Sequence, residues 1–273
     1  HTLSMSADVD NPGARAFTFE QLSQAYYDQA RGLMDGGADL LMLETVFDAL
    51  NAKAAIFAIE TLFAERGMRL PVIVSGTLTS SGRTLAGQTI EAFYTSVAHA
   101  EPLAVSLNCS FGAKALLPYL ERLAAVSEFR VAVYPNAGLP NVMGGYDETP
   151  AMFAADVEEY MRRGLVNLVG GCCGTTPDFI KLLNGVFADC KPGRPAHAMP
   201  SVLCSPMDFV TVDGITVVGE RINPTGKKRF QQALREGDMN YILEQAVSQS
   251  EAGAQVLDVN VGAPGVDEPA VME

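Results

Sequence analysis

Residues 165–177, LVNLVGGCCGTTP, pass from an apolar run through a glycine-flanked pair of cysteines to a Thr-Pro step. That order spells a buried strand, a turn and the start of a helix, because Thr is a favoured N-cap and Pro fits the first helical position. The pattern recurs upstream. Short runs rich in Val, Leu and Ile lie at 39–44 (DLLMLE), 71–77 (PVIVSGT), 102–108 (PLAVSLN) and 130–135 (RVAVYP), before the strand at 165–170. Each is apolar on consecutive positions, which suits strands covered on both faces of a parallel sheet. Between them lie amphipathic stretches with readable caps: Thr18 with Gln21 ahead of a helix that Gly36-Gly37 ends, then Thr149-Pro150 and Thr176-Pro177.

The strand ends fall at Glu44, Thr77, Cys109, Asn136 and Cys172, at intervals of 33, 32, 27 and 36 residues. Parallel βα units of this length build either a TIM-type (β/α)8 barrel or a doubly wound sheet. The barrel is expected here, because a polar or reactive residue recurs at every strand end and only a barrel gathers those ends into one mouth. Five units are visible where a barrel has eight, so three strands are expected before His1. The missing initiator Met and the end at Glu273, where a helix begins, read as a piece of a longer protein.

The composition changes after Cys190. Residues 191–206 carry prolines at 192, 195, 200 and 206 without periodicity, and 191–213 are expected to be a semi-extended linker. A strand at 214–220 (GITVVGE), a helix over 227–252 and a strand at 254–260 (AQVLDVN) follow. The joint SEAGAQVLDVN echoes the earlier MDGGADLLMLE, so 214–273 reads as the first βαβ of a second TIM-type barrel, after a first domain at 1–190.

The chain has 273 residues, 48% hydrophobic and 19% charged, with a net charge of −13. That balance belongs to a folded α/β protein. So acidic a chain repels phosphate backbones and anionic lipid, which argues against nucleic-acid and membrane partners. No apolar run is long enough to span a membrane and no signal segment opens the chain, so a cytosolic protein is expected. Neither a dinucleotide-binding glycine motif nor a P-loop appears, and His1, His99 and His197 are scattered, so a histidine triad has no support.

Five cysteines without a secretion signal point to metal or thiol chemistry rather than a disulfide framework. A glycine-flanked turn can aim Cys172 and Cys173 into one mouth, and Cys109 ends a strand two units earlier, where alternate barrel strands share a layer. Three thiolates suit Zn²⁺ and leave a fourth position for substrate. Buried small residues or a strained redox pair are the other readings of the same pattern. Cys190 and Cys204 are read as structural.

NCSFG at 108–112 with GGCCGTTP at 170–177, LLMLETVFDALNAKAA at 40–55, SGTLTSSGRTLAGQ at 75–88 and PNAGLPN at 135–141 resemble the homocysteine-binding barrel of the cobalamin-dependent methionine synthase family. GERINPTGKKRF at 219–230 and LDVNVG at 257–262 resemble the start of that family's methyltetrahydrofolate-binding barrel. The resemblance implies that Cys109, Cys172 and Cys173 bind zinc, that homocysteine sulfur takes the fourth position, and that Glu44 holds the substrate ammonium. Asn108 and Thr77 are expected to line the mouth as substrate-binding polar groups. Glu220, Arg221, Asn223, Thr225, Asp258 and Asn260 are expected to contact a pterin. In such an enzyme the methyl group reaches homocysteine from 5-methyltetrahydrofolate through methylcobalamin, carried by a cobalamin-binding domain of the same polypeptide. Two alternatives remain: a zinc homocysteine methyltransferase with betaine or S-methylmethionine as donor, and a non-catalytic zinc or thiol module.

Overall fold

The computed structural model describes residues 2–6, 8, 10–11, 13–187, 193 and 200–272. Contacts divide the chain into two compact units, His1–Met199 with Cys204–Phe209, and Pro200–Leu203 with Val210–Glu273.

In the first unit, helix α1 (Phe19–Asp35) opens with the Thr18/Gln21 capping box and ends at Gly36, as the sequence predicts. Strand β1 (Leu41–Val46) and helix α2 (Ala49–Arg66) follow, with Asp48 as N-cap, then β2 (Val72–Gly76) and α3 (Ile90–Val97). His99 falls in the 3-10 turn Ala98–Ala100. Next come β3 (Ala104–Gly112), α4 (Ala113–Val126), β4 (Arg130–Asn136), α5 (Pro150–Arg162, capped by Thr149), β5 (Leu168–Val169) and α6 (Pro177–Phe187).

The five strands form one sheet in the order β1-β2-β3-β4-β5, every neighbouring pair parallel. A doubly wound sheet reverses its strand order at a switch point, whereas sequential order is that of a barrel wall. The fold is therefore α/β with a five-stranded parallel sheet, consistent with a TIM-type barrel domain.

The sheet buries both faces, which is why its strands read as unbroken apolar runs. Toward the helices point Leu41, Leu43, Val72, Val74, Val105, Leu107, Val131 and Val133, packed with Leu62, Phe93, Leu116, Leu120 and Phe153. Each fully buried side chain of this size contributes about 1.5–3 kcal/mol. The opposite face carries a smaller apolar layer, Ile73, Ala104 and Ala132 with Met42, Tyr134 and Leu168. By strand alternation Glu44, Ser75, Ser106 and Asn108 share this second face.

Two boundaries differ from expectation in a way that matters for the site. β1 runs to Val46, placing Glu44 inside the strand, and β3 runs to Gly112, placing Cys109 inside it. Both extensions contain bulges, which sequence periodicity does not register.

The described part of the expected linker is not simply extended. Strands β6 (Ser201–Cys204) and β7 (Phe209–Val212) pair across a turn in which Ser205 N donates to Asp208 O at 2.8 Å. The tip is held by Met207 O, which accepts from Thr89 N at 3.0 Å and from Arg83 Nη1 at 2.9 Å. The Cys204 sulfur lies 3.5 Å from Ser96 Oγ, in keeping with a structural role. The prolines at 200 and 206 just upstream hid the β-branched run FVTV at 209–212. Cys190, His1 and His197 lie outside the described residues.

In the second unit β8 (Val218–Ile222) pairs in parallel with β9 (Val256–Val259). The single helix expected over 227–252 is two, α7 (Lys228–Glu236) and α8 (Met239–Glu251). Gly237 closes the first in the left-handed conformation (φ 68°) and Asp238 caps the second by accepting from Tyr241 N. Ile222, Phe230, Ala233, Leu234 and Ile242 form its core. A last helix, α9 (Glu268–Met272), follows β9, and α7 and α8 form the crossover between the parallel strands β8 and β9. Among the described residues no helix is long and apolar enough to cross a membrane.

Candidate metal centre

The Cys109 site begins with backbone strain. At the end of β3, Cys109 (φ 63°) and Ser110 (φ 60°) both adopt the left-handed conformation, and the register with β4 slips between Asn108 and Gly112. Left-handed geometry costs a non-glycine residue about 1–2 kcal/mol. Such strain persists only where surrounding contacts enforce it, and it clusters at functional sites. Thr45 (φ 60°) makes the matching bulge in β1, one residue after Glu44.

Asn108 locks the two bulges together. Its Oδ1 accepts from Thr45 N at 3.2 Å and from Ser75 Oγ at 2.7 Å, and its Nδ2 donates to Thr45 Oγ1 at 2.9 Å. The same Nδ2 stands 3.9 Å from Cys172 Sγ. Thr77 Oγ1 donates to Asn108 O at 3.1 Å. Asn108 and Thr77 are each only 1% exposed, so their polar atoms are used inside the wall of the mouth.

The loop after β5 is zipped onto the end of β4. Gly170 N donates to Val133 O, Cys172 N to Pro135 O at 2.7 Å, and Ala137 N to Cys173 O at 2.9 Å. Asn136 Oδ1 accepts from Cys173 N at 3.1 Å, and Thr175 donates twice to Cys172 O, from N and from Oγ1. Asn136 thus orients one of the cysteines.

These supports bring three sulfurs together. Cys109 Sγ lies 3.7 Å from Cys173 Sγ, Cys172 Sγ lies 3.8 Å from Cys173 Sγ, and all three fall within 4.8 Å of one another. Among the described residues this is the cluster of His, Cys, Asp or Glu side chains arranged to hold a metal ion, and no fourth such side chain joins it. With Zn–S bonds of about 2.3 Å, two sulfurs on a tetrahedral zinc stand about 3.8 Å apart. The spacing fits. Burial pushes the Cys172 thiol up to about 11, and the Cys109 and Cys173 sulfurs beside it push the same way. Three packed sulfurs repel as thiolates, and a divalent cation reverses that sign.

Glu44 is solvent-exposed on the face of the sheet that carries Asn108. Its carboxylate is close enough to Tyr134 of β4 to act on it: burial first, then the Glu44 charge, pushes the Tyr134 hydroxyl up. A groove of about 320 Å³ along β1 is lined by Tyr26, Gln29, Leu33, Glu44, Ala55 and Ile59, with none of the three cysteines on it.

One residue beside the sulfurs carries no sequence signal. Tyr146, in the loop between β4 and α5, packs its ring against Gly174, and burial first, then the Cys173 sulfur, pushes its hydroxyl up.

In the second unit the six expected pterin residues lie along and just beyond β8 and β9. Glu220 accepts from Asn223 Nδ2 and pairs with Lys227 Nζ at 3.3 Å, not with Arg221. Asn223 Oδ1 accepts from Thr225 N at 2.9 Å, an Asx turn, and Asn260 Oδ1 accepts from Gly262 N at 2.8 Å. Arg221 N donates to Gln249 Oε1. Glu220, Arg221, Thr225, Asp258 and Asn260 are exposed and Asn223 is half-buried.

A parallel βα wall consistent with a TIM-type barrel carries, at the carboxyl ends of its strands, a three-sulfur cluster that could hold a metal ion. Residues 1–187 match the family model described as Homocysteine S-methyltransferase, and the chain belongs to that family. Among solved structures it is similar to the apo form of the homocysteine methyltransferase MmuM from Escherichia coli, at 22% identity with a TM-score of 0.49. That match covers 62% of this chain and 57% of the other, so the chain spans less than two thirds of that protein's length.

Proposed function

We propose that this chain carries the methyl-acceptor half of a homocysteine methyltransferase. The observation that carries the reading is the three-sulfur cluster, its edges of 3.7 and 3.8 Å those of a tetrahedral thiolate site with one position left over. Cys109, Cys172 and Cys173 would hold Zn²⁺. Zinc bound there supplies a lowered thiol pKa, so that an incoming thiol is held as thiolate at neutral pH.

The chain's own residues do the rest. Asn108 fixes the bulges that present Cys109 and sits against Cys172, while Asn136 fixes the Cys173 backbone. Glu44 offers a carboxylate to the substrate ammonium from the face that carries Asn108. Asn108 and Thr77 act behind the mouth rather than on the substrate, since their side chains are buried and bonded internally. In the transfer, a lone pair on the substrate sulfur forms the new S–C bond as the bond between methyl and donor breaks, its electron pair leaving with the donor.

The donor we propose is methylcobalamin, recharged from 5-methyltetrahydrofolate on a second barrel that begins with β8 and presented by a cobalamin-binding domain of the same polypeptide. Support comes from segment 219–262; the family match ends at residue 187 and is common to every donor. The five-stranded wall is then the last five strands of an eight-stranded homocysteine barrel, residues 191–213 join the two barrels, and the enzyme works in the cytosol. The test is a panel of methylcobalamin, S-methylmethionine and betaine, each offered with homocysteine to zinc-loaded protein while methionine is measured. Methionine from methylcobalamin alone supports the full reading. Methionine from either other donor alone keeps the acceptor half and overturns the donor.

A further inference from the structure

Strand β1 keeps both Leu43 and Val46 in the main core although they are three residues apart. Regular strand alternation cannot do that. Between them β1 takes three steps against the two that β2 takes from Val74 to Gly76, and Thr45, at φ 60°, absorbs the extra residue. A β-branched residue in the left-handed region is an outlier, and it persists only where neighbours enforce it. The enforcing neighbour is Asn108. Thr45 N donates to Asn108 Oδ1 at 3.2 Å while Thr45 Oγ1 accepts from Asn108 Nδ2 at 2.9 Å, so the carboxamide grips the bulge through both of its polar atoms.

We infer that Thr45 is a positioning residue for homocysteine: its paired hydrogen bonds to Asn108 fix the carboxylate of Glu44, one residue away, relative to the sulfur cluster, so that the site favours a thiol that carries an ammonium group. This deepens the function proposed above and rests on it.

The two arms of Asn108 are separate. On the β2 side, Ser75 Oγ donates to its Oδ1 at 2.7 Å and Thr77 Oγ1 to its backbone O at 3.1 Å, all of them buried residues. Those bonds hold the start of the Cys109 bulge without passing through Thr45. On the β1 side the carboxamide holds Thr45, and Val46 O, just beyond, accepts from Thr77 N at 2.9 Å. Glu44 is exposed and directly precedes the bulge, so its direction follows the Thr45 backbone. A backbone N–H can only donate, which turns Oδ1 toward Thr45 N and leaves Nδ2 for Thr45 Oγ1 and the sulfur side. That same Nδ2 stands 3.9 Å from Cys172 Sγ. One buried side chain thereby joins the strand that carries the carboxylate to the strand ends that carry the sulfurs.

The experiment titrates zinc-loaded wild type, Thr45→Val, Thr45→Ser and Glu44→Gln by calorimetry with homocysteine and with 4-mercaptobutyrate, the same thiol acid without its amino group. Zinc content is measured on each sample. Valine keeps the β-branch and removes the acceptor, whereas serine keeps the acceptor. Thr45→Val should cut the wild-type preference for homocysteine over 4-mercaptobutyrate about five-fold, the scale of one hydrogen bond. Its affinity for 4-mercaptobutyrate and its zinc content should match wild type, and Thr45→Ser should restore the preference. An unchanged preference in Thr45→Val, an equal loss for both thiols, loss of zinc, or no restoration by Thr45→Ser would each overturn the positioning role alone. Failure of the underlying reading looks different. Wild type that holds no zinc or binds neither thiol refutes the metal centre, and wild type without a preference, or Glu44→Gln with an undiminished one, refutes Glu44 as the ammonium's partner; either result takes this inference with it.

Discussion

Cys109 and Cys173 are 64 residues apart in the chain, yet their sulfurs stand 3.7 Å apart. The cause is topological: β3 and β5 flank β4, and the Cys109 bulge and the loop after β5 both lean over β4's carboxyl end. The centre is therefore a property of strand order, and it exists only while the sheet is intact.

Replacing any of Cys109, Cys172 or Cys173 with Ala leaves only two of the three sulfurs. Each variant should lose zinc on purification, read as metal per chain by plasma emission, while its far-UV circular dichroism stays that of wild type. Full occupancy in any one would remove that residue from the ligand set.

Asn108→Ala leaves the buried Ser75 hydroxyl and the Thr45 N–H without their shared acceptor. The expected loss is about 2–4 kcal/mol, one unsatisfied group each, measured by urea denaturation. Because Asn108 also holds the Cys109 bulge, zinc affinity should fall in parallel. A stability loss with unchanged zinc affinity would confine Asn108 to the wall.

The sequence made the sulfurs legible because cysteines at glycine-flanked strand ends have few structural alternatives, and the Thr18/Gln21 box because its two residues act locally. Tyr146 was invisible for the opposite reason. It sits in an aperiodic Gly/Pro-rich loop, and only the folded β5–α6 turn gives it a neighbour. For Asn108 and Thr77, sequence cannot tell a polar side chain that faces a ligand from one that ties two strands together, as their internal hydrogen bonds do here. The break at Gly237-Asp238 was readable as a C-cap followed by an N-cap, and the long amphipathic run around it masked that signal.

Gly174→Ala should be costly for two separable reasons. Its φ of +81° strains any β-carbon by about 1–2 kcal/mol, and the Tyr146 ring occupies the space that carbon needs. In a Tyr146→Ala background only the first cost remains. Thermal denaturation of the four proteins should therefore give a strongly non-additive cycle; simple additivity would mean the ring yields freely.

Glu148 carries a pH dependence. Burial first, and then the Asp156 carboxylate, pushes its carboxyl up, and its Oε2 has no hydrogen-bond partner; Lys114 and Asp147 line the same cavity. A raised folded-state pKa means that its ionised form is disfavoured in the folded chain. The associated stability is complete below the unfolded value of about 4.3 and is lost as pH rises through the folded value. Glu148→Gln cannot ionise, so its urea midpoint relative to wild type should climb between pH 4 and pH 7.5. A difference constant with pH would place the wild-type carboxylate in contact with solvent.

The central claim is an open three-sulfur metal centre that takes homocysteine as its fourth ligand. X-ray absorption at the zinc edge, on protein purified without chelator, tests it most directly. The account predicts about one zinc per chain with three sulfur neighbours, at the spacing of about 2.3 Å usual for zinc thiolates, and four sulfurs once homocysteine is added. No zinc, or a sulfur shell unchanged by homocysteine, would contradict it.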